Sequence, residues 1–316
     1  MTNLAPSDQI PTESVDGFIT LFRGRGDVYG HDEGRCVKGA LNKERFLGHL
    51  HGDELIGVYP MVPHGNEHVV VWGCSDFDNG EVSFDDAQKL RHALLAVGIT
   101  SWIERSRSKG HHLWVFAEAP VPAIVMRHML LAAHQVANVP AKEVNPKQET
   151  LAAGQYGNYV RLPYGNVSDV YCRRQRILAS TSHHDGQYSD ILFNDFVRDA
   201  MASRTPVALI HSVAQMYVPP VIVTMPITDT PYSATLDEAM RLLKPLAKVI
   251  WRDGPLAGND RSSTLARLGF ECAETGLNPS QTKIVLQTAD KRWGKYHLRP
   301  NGETEIDKLV IRVHSK

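Results

Sequence analysis

The stretch His68–Ser75 (HVVVWGCS), running into Asp76-Phe77-Asp78, constrains this chain more than any other segment. Its β-branched and aromatic residues, bounded by turn formers, predict a strand. Side chains two apart on a strand share a face, so Asp76 and Asp78 should project together from its C-terminal end. Neighbouring carboxylates repel unless a cation lies between them. A pair of Mg²⁺ or Mn²⁺ ions answers that need, and such pairs serve phosphoryl and nucleotidyl transfer. A second segment, Ser106-Arg107-Ser108-Lys109-Gly110-His111-His112, heads another apolar run. Its hydroxyls, its lysine, the N–H groups beside Gly110 and the imidazoles are the parts of an anion cradle for a triphosphate.

Alternation separates the two histidines. His112 shares a face with Trp114 and Phe116, His111 with Leu113 and Val115, so one of them can face the site. Further along, Lys142–Gln148 brings a third carboxylate and two lysines, and Asn158–Pro163 brings Arg161. Glu143 is the candidate third metal ligand, and Lys147 and Arg161 are candidate phosphate clamps.

The surrounding pattern predicts an α+β core with mixed or antiparallel sheets and flanking helices. Leu55–Met61 and His68–Ser75 read as paired strands across the Pro63–Asn66 turn. Phe84–Val97 reads as a helix with Ala87, Leu90, Leu94 and Val97 on one face, closed by Gly98. Ile99–Arg105 and His112–Glu118 read as a hairpin around Lys109-Gly110, and Pro122–Val136 as a second helix. The expected division is a catalytic domain at 1–204, a Pro-rich extended connector packed on the core at 205–232, and a small helical domain at 233–316. Within the last, Thr235 and Glu238 form a capping box opening a helix Leu236–Ile250, kinked at Pro245. Asp260 and Ser280 are candidate N-caps, with Gly276 at a helix end.

The chain has 316 residues and a formal net charge of −1, so bulk electrostatics point to no nucleic-acid role; one must rest on a local basic patch. Four scattered cysteines form no CxxC pair, which argues against a zinc knuckle and fits a reducing compartment. No apolar run approaches ~18 residues, so a soluble protein without a membrane partner is expected.

Several further segments stand in register with these motifs: Leu21–Tyr29 (LFRGRGDVY), His49-Leu50-His51-Gly52 with Gly57-Val58-Tyr59-Pro60, Trp102–Trp114, Asn145-Pro146-Lys147-Gln148 and Gly157–Pro163. Over roughly residues 17–200 the chain resembles the catalytic domain of archaeo-eukaryotic primases (primase-polymerases), in the branch found in phages and mobile-element conflict systems. The resemblance implies metal binding by Asp76, Asp78 and Glu143, and nucleotide contact by His112. Ser106, Ser108, Lys109, Lys147 and Arg161 would bind the triphosphate. It implies two Mg²⁺ or Mn²⁺ ions, a nucleoside triphosphate, a single-stranded DNA template and a separate replicative helicase, in the cytoplasm of a bacterial host. The expected function is a DNA primase and polymerase; a repair polymerase that extends existing ends, or a catalytically silent DNA-binding replication factor, are the alternatives. A replication-initiator nuclease would instead use His49-Leu50-His51. The C-terminal part resembles helical tails of phage primases. There Lys291, Arg292, Lys295, Tyr296 and Arg299 either form a surface for single-stranded template or are solvated charges around a buried Trp293. No Gly-x-x-x-x-Gly-Lys-Ser/Thr loop occurs.

Overall fold

The computed structural model describes residues 10–78, 80–108, 110–169, 171–180, 188–219, 235–255, 260–299 and 301–315. The chain divides into two compact units, Met1–Pro219 and Pro220–Lys316. None of the described helices is long and apolar enough to cross a membrane.

The first unit is built on two sheets. The larger one combines β4 (Val62–His64), β5 (Glu67–Phe77), β6 (Trp102–Arg105), β7 (His111–Pro122), β8 (Glu143–Asn145) and β10 (Arg176–Ile177). Its order is β10-β6-β7-β5-β4, with β8 also paired to β5. The smaller sheet runs β2 (Cys36–Lys38), β1 (Val28–His31), β3 (Ile56–Val58), β9 (Val160–Arg161). Every pairing between these strands is antiparallel, as an α+β core predicts.

Strand β5 is buried on both faces, and alternation, shifted by an irregularity between Val70 and Trp72, sorts its residues into two cores. Val70 and Phe77 join Leu113 and Val115 against α3 (Ser83–Ala96), α4 (Ala123–Ala137) and α6 (Val207–Ala214). Trp72 and Cys74 join Trp114 and Phe116 on the other face, against α1 (Thr12–Leu21), α2 (Lys43–His51) and α5 (Phe193–Ala202). Asp76 continues this second face beyond the point where the aromatic core ends.

Two strand expectations change. Leu55–Met61 does not pair with His68–Ser75: Ile56–Val58 pairs with β1 and β9 in the smaller sheet, and Val62–His64 takes the place beside β5. Pro60 offers no N–H to continue a ladder, so the chain changes sheets there. The stretch 205–232 is also not extended throughout. Val207–Ala214 is helical, because Pro206 pre-sets the N-cap backbone and Ile210 and Val213 recur at helical spacing toward α4. Residues 220–234 lie outside the described ones.

The second unit contains α7 (Leu236–Leu242), α8 (Pro245–Asp253), α9 (Arg261–Glu274), α10 (Pro279–Trp293) and α11 (Gly302–His314) around its own apolar core. The Thr235–Glu238 capping box is present. Pro245 breaks the helix rather than kinking it: Leu243 is extended and Pro245 starts α8 at its first turn. Asp260 caps α9 as expected. The cap of α10 is Asn278, not Ser280, since Asn278 forms a reciprocal box with Gln281 and Pro279 takes the first helical position.

Candidate active site

Register decides which side chains meet at the end of the larger sheet. Asp76 lies opposite His112 on one side and Glu143 on the other, and His112 lies opposite Glu104. Directly opposed residues share a face, so Glu143, Asp76, His112 and Glu104 form one row across β8, β5, β7 and β6. This row and Asp78 line a cavity of about 250 Å³ together with Ser106, Arg107, Ser108, Asn145, Lys147, Tyr159, Arg161 and Gln175.

Within the row itself, His112 supplies the cation. Its Nδ1 is 2.9 Å from Glu104 Oε2, and its Nε2 is 3.7 Å from Asp76 Oδ2. Burial opposes charging the ring, but Glu104 and Asp76 outweigh that and lift its pKa to about 10. Burial and the neighbouring charges of Asp76 and Glu143 raise the carboxyl of Asp78, with His112 acting the other way. Asp76 Oδ1 and Glu104 Oε1 are buried without a hydrogen-bond partner.

The structure separates the two histidines as alternation requires. His111 turns from the cavity, with Nδ1 2.8 Å from Ser83 Oγ and its ring against Phe84. Burial lowers its pKa to about 4. His49, in the initiator-nuclease reading, is fully buried: its Nε2 is 2.9 Å from the Pro163 carbonyl, and its Nδ1 accepts from the Ile56 N–H. It serves the backbone, and His51, two residues on along a helix, points elsewhere.

The loop between β6 and β7 closes one side of the cavity. The Ser106 N–H donates to the Gly110 carbonyl across 3.0 Å. A Cβ at Gly110 would sit 2.4 Å from the Phe77 carbonyl oxygen and 2.5 Å from Asp78 Oδ1, so glycine alone lets this loop approach the carboxylate. Lys109 lies outside the described residues.

The opposite side is basic. Lys147 Nζ is 2.8 Å from Glu143 Oε2, so the candidate clamp and the candidate third ligand hold each other. Arg161 Nη2 donates to the Asp32 carbonyl across 3.1 Å, and Arg107 pairs with the Asp32 carboxylate. Asp32, at the tip of the β1–β2 turn, thus gathers an arginine from each side of the cavity.

Four contributors escape a reading of the sequence. Glu104 is one; a glutamate on the strand face shared with Trp102 is the signal available. Asp32 is another, hidden in an ordinary turn. Arg127 of α4 donates to the carbonyls of Val144 and Pro146, fixing the segment that carries Glu143 and Lys147. Tyr159 lies flat on the smaller sheet, where a Cβ at Gly30 or Gly57 would come within 2.3 or 2.4 Å of its ring.

In the second unit, the candidate template residues make local contacts. Arg292 stacks on Trp251 at 3.9 Å, Lys295 approaches Asp260 at 3.5 Å, and Arg299 lies 5.8 Å over Tyr296. Lys291 is exposed and Trp293 half-buried against the helical core.

Residues 36–171 match the family described as "TOTE conflict system, Archaeo-Eukaryotic Primase domain". No curated protein matches the chain. Among solved structures the chain is similar to the crystal structure of primase RepB', at 13% identity and a TM-score of 0.32, over 96% of this chain and 94% of that one. The matched segment spans the whole row from Asp76 to Glu143 as well as Lys147 and Arg161, and over that segment the chain is similar to archaeo-eukaryotic primase domains.

Proposed function

We propose that this cavity is a nucleotidyl-transfer site, adding nucleotides to a primer or an initiating nucleotide on a single-stranded DNA template. The observation that carries this reading is one cavity lined both by the carboxylates of Asp76 and Asp78 and by the cations Lys147, Arg107 and Arg161. A replication role in a phage or mobile element, beside a separate helicase, follows from the same reading.

Divalent ions fit the donor set at the two aspartates. Both offer hard carboxylate oxygens, Asp76 Oδ1 has no partner, and the charge of Asp76 burdens Asp78. Among the described residues no three His, Cys, Asp or Glu groups stand ready around a single point, and Glu143 is engaged by Lys147. Asp76 and Asp78 would therefore hold Mg²⁺ or Mn²⁺, with Glu143 joining once Lys147 turns to phosphate. Bound there, the ions would activate the attacking hydroxyl and offset the charge of the departing pyrophosphate.

The remaining work belongs to the chain. Lys147, Arg161 and Arg107 would bind phosphate oxygens, and Ser106 and Ser108 would donate hydroxyls to them. His112, charged at neutral pH and aimed into the cleft by Nε2, would donate to the incoming nucleotide. Lys109 keeps the role of a further phosphate ligand.

The test is synthesis on single-stranded DNA, unprimed or primed, with each nucleotide set and Mg²⁺ or Mn²⁺. Products on unprimed template are expected. Products only on primed template would make the protein an end-extending polymerase, and metal-dependent template binding without products would make it a silent replication factor.

A further inference from the structure

We infer that Glu104 is the positioning residue of this site: it holds Nδ1 of His112 inward and so reserves Nε2 for whatever the cleft binds. The inference rests on the proposed role of the cavity, but its first test does not. The Glu104 side chain is 1% exposed, where the row through His112 and Asp76 meets the apolar residues Trp114, Phe116 and Ile177 of the same face. Its neighbour across β10 is Ile177. In such a layer a leucine would bury apolar surface favourably, whereas a carboxylate loses its hydration. A purely architectural residue at this place has no reason to be charged.

The polar contacts of Glu104 explain the charge. Oε2 accepts from Trp114 Nε1 at 2.7 Å and lies 2.9 Å from His112 Nδ1. An indole N–H only donates, and an ionised carboxylate only accepts. Nδ1 of His112 must therefore carry a proton and spend it on Glu104. With the ring pinned on that side and set edge-on to Trp114 at 5.7 Å, Nε2 is left facing Asp76 and the cavity. A second carboxylate behind a working histidine acts in this way when it orients a ring. Oε1 of Glu104 takes no bond, so the carboxylate serves these two rings alone.

Long-range ¹H–¹⁵N correlation spectra of the intact protein, with His112 assigned by His112→Gln, read the ring directly. A protonated Nδ1 is expected; an unprotonated Nδ1 would overturn the inference without any variant having to fold. In Glu104→Leu the Nδ1 proton should be lost from most of the population, while Glu104→Gln, whose amide oxygen can accept from both rings, should keep it. Retention of the parent pattern in Glu104→Leu would also overturn the inference. In parallel, the affinity for dATP with Mg²⁺ should fall at least about tenfold in Glu104→Leu and stay within about threefold of the parent in Glu104→Gln. If the ring pattern changes as expected but dATP affinity does not, Glu104 still positions His112, and the nucleotide-contacting role proposed for His112 is what fails.

Discussion

Two buried acidic places in this protein are handled in opposite ways. In the second unit, Asp290 is 2% exposed and its oxygens accept from the backbone N–H groups of Lys295, at 3.0 Å, and Tyr296, at 2.9 Å. It closes the turn after α10, and nothing is left over. In the first unit, Asp76 and Glu104 flank the imidazole of His112 in the row that ends at Glu143, and each of the two keeps an oxygen without a partner. A carboxylate that serves the fold alone satisfies itself locally; on the proposed reading Asp76 holds its free oxygen for a ligand, while Glu104 spends its other oxygen on two rings. The same division holds within the first unit, where His49 is bonded on both nitrogens and His112 keeps Nε2 toward the cavity.

The largest expected effect breaks the comparison at its unsatisfied end. Asp76→Ala or Asp78→Ala should lower nucleotide incorporation on the order of a thousandfold while thermal stability holds or rises, since each removes a charge from a crowded site. Undiminished synthesis by either variant would remove it from the site.

Next comes the satisfied histidine. Burial lowers the pKa of His49 to about 4, against 6.5 for a free imidazole. Above the free value both states are neutral and stability is full. As pH falls the unfolded chain takes the proton first, so stability drops across pH 6.5 to 4 and levels off below. One such group accounts for about 3 kcal/mol. Denaturation at a series of pH values, with the His49 ring followed by NMR, checks both parts; a ring titrating near its free value would end the argument.

Asp290→Ala should then destabilise the second unit by roughly 2 kcal/mol, because two backbone donors lose a charged acceptor. Urea unfolding monitored within that unit measures it, and an unchanged midpoint would mean that the turn holds without its carboxylate.

The smallest effect sharpens the comparison at its border. Lys147 is paired with Glu143, yet it lines the cavity. Lys147→Ala should raise the apparent nucleotide KM about tenfold, the loss of one phosphate contact. An unchanged value would leave Lys147 as a partner of Glu143 and nothing more.

Much of this molecule is legible in its amino-acid sequence. The period-two pattern of His68–Phe77 places Asp76 at a strand end, and the same pattern separates His112 from His111. The helices over α3, α4 and α9 follow from apolar spacing and caps. What escapes depends on partners distant in the chain. Whether Ile56–Val58 joins β5 or β1 turns on which sheet has a free edge, and a single strand carries no mark of that. Val207–Ala214 has several prolines nearby, but its helix is decided by the apolar surface that α4 presents.

By itself the sequence determined the identity of the acidic and basic groups, their faces on each strand and the family resemblance that orders them. These are local matters, set by alternation along a strand and by residue chemistry. The tertiary structure alone decided that Glu143, Asp76, His112 and Glu104 form one row, that Asp32 gathers Arg107 and Arg161, and that Lys147 meets Glu143. Each of those depends on register between strands far apart in sequence, and register is chosen by the packing of whole faces rather than by any one residue.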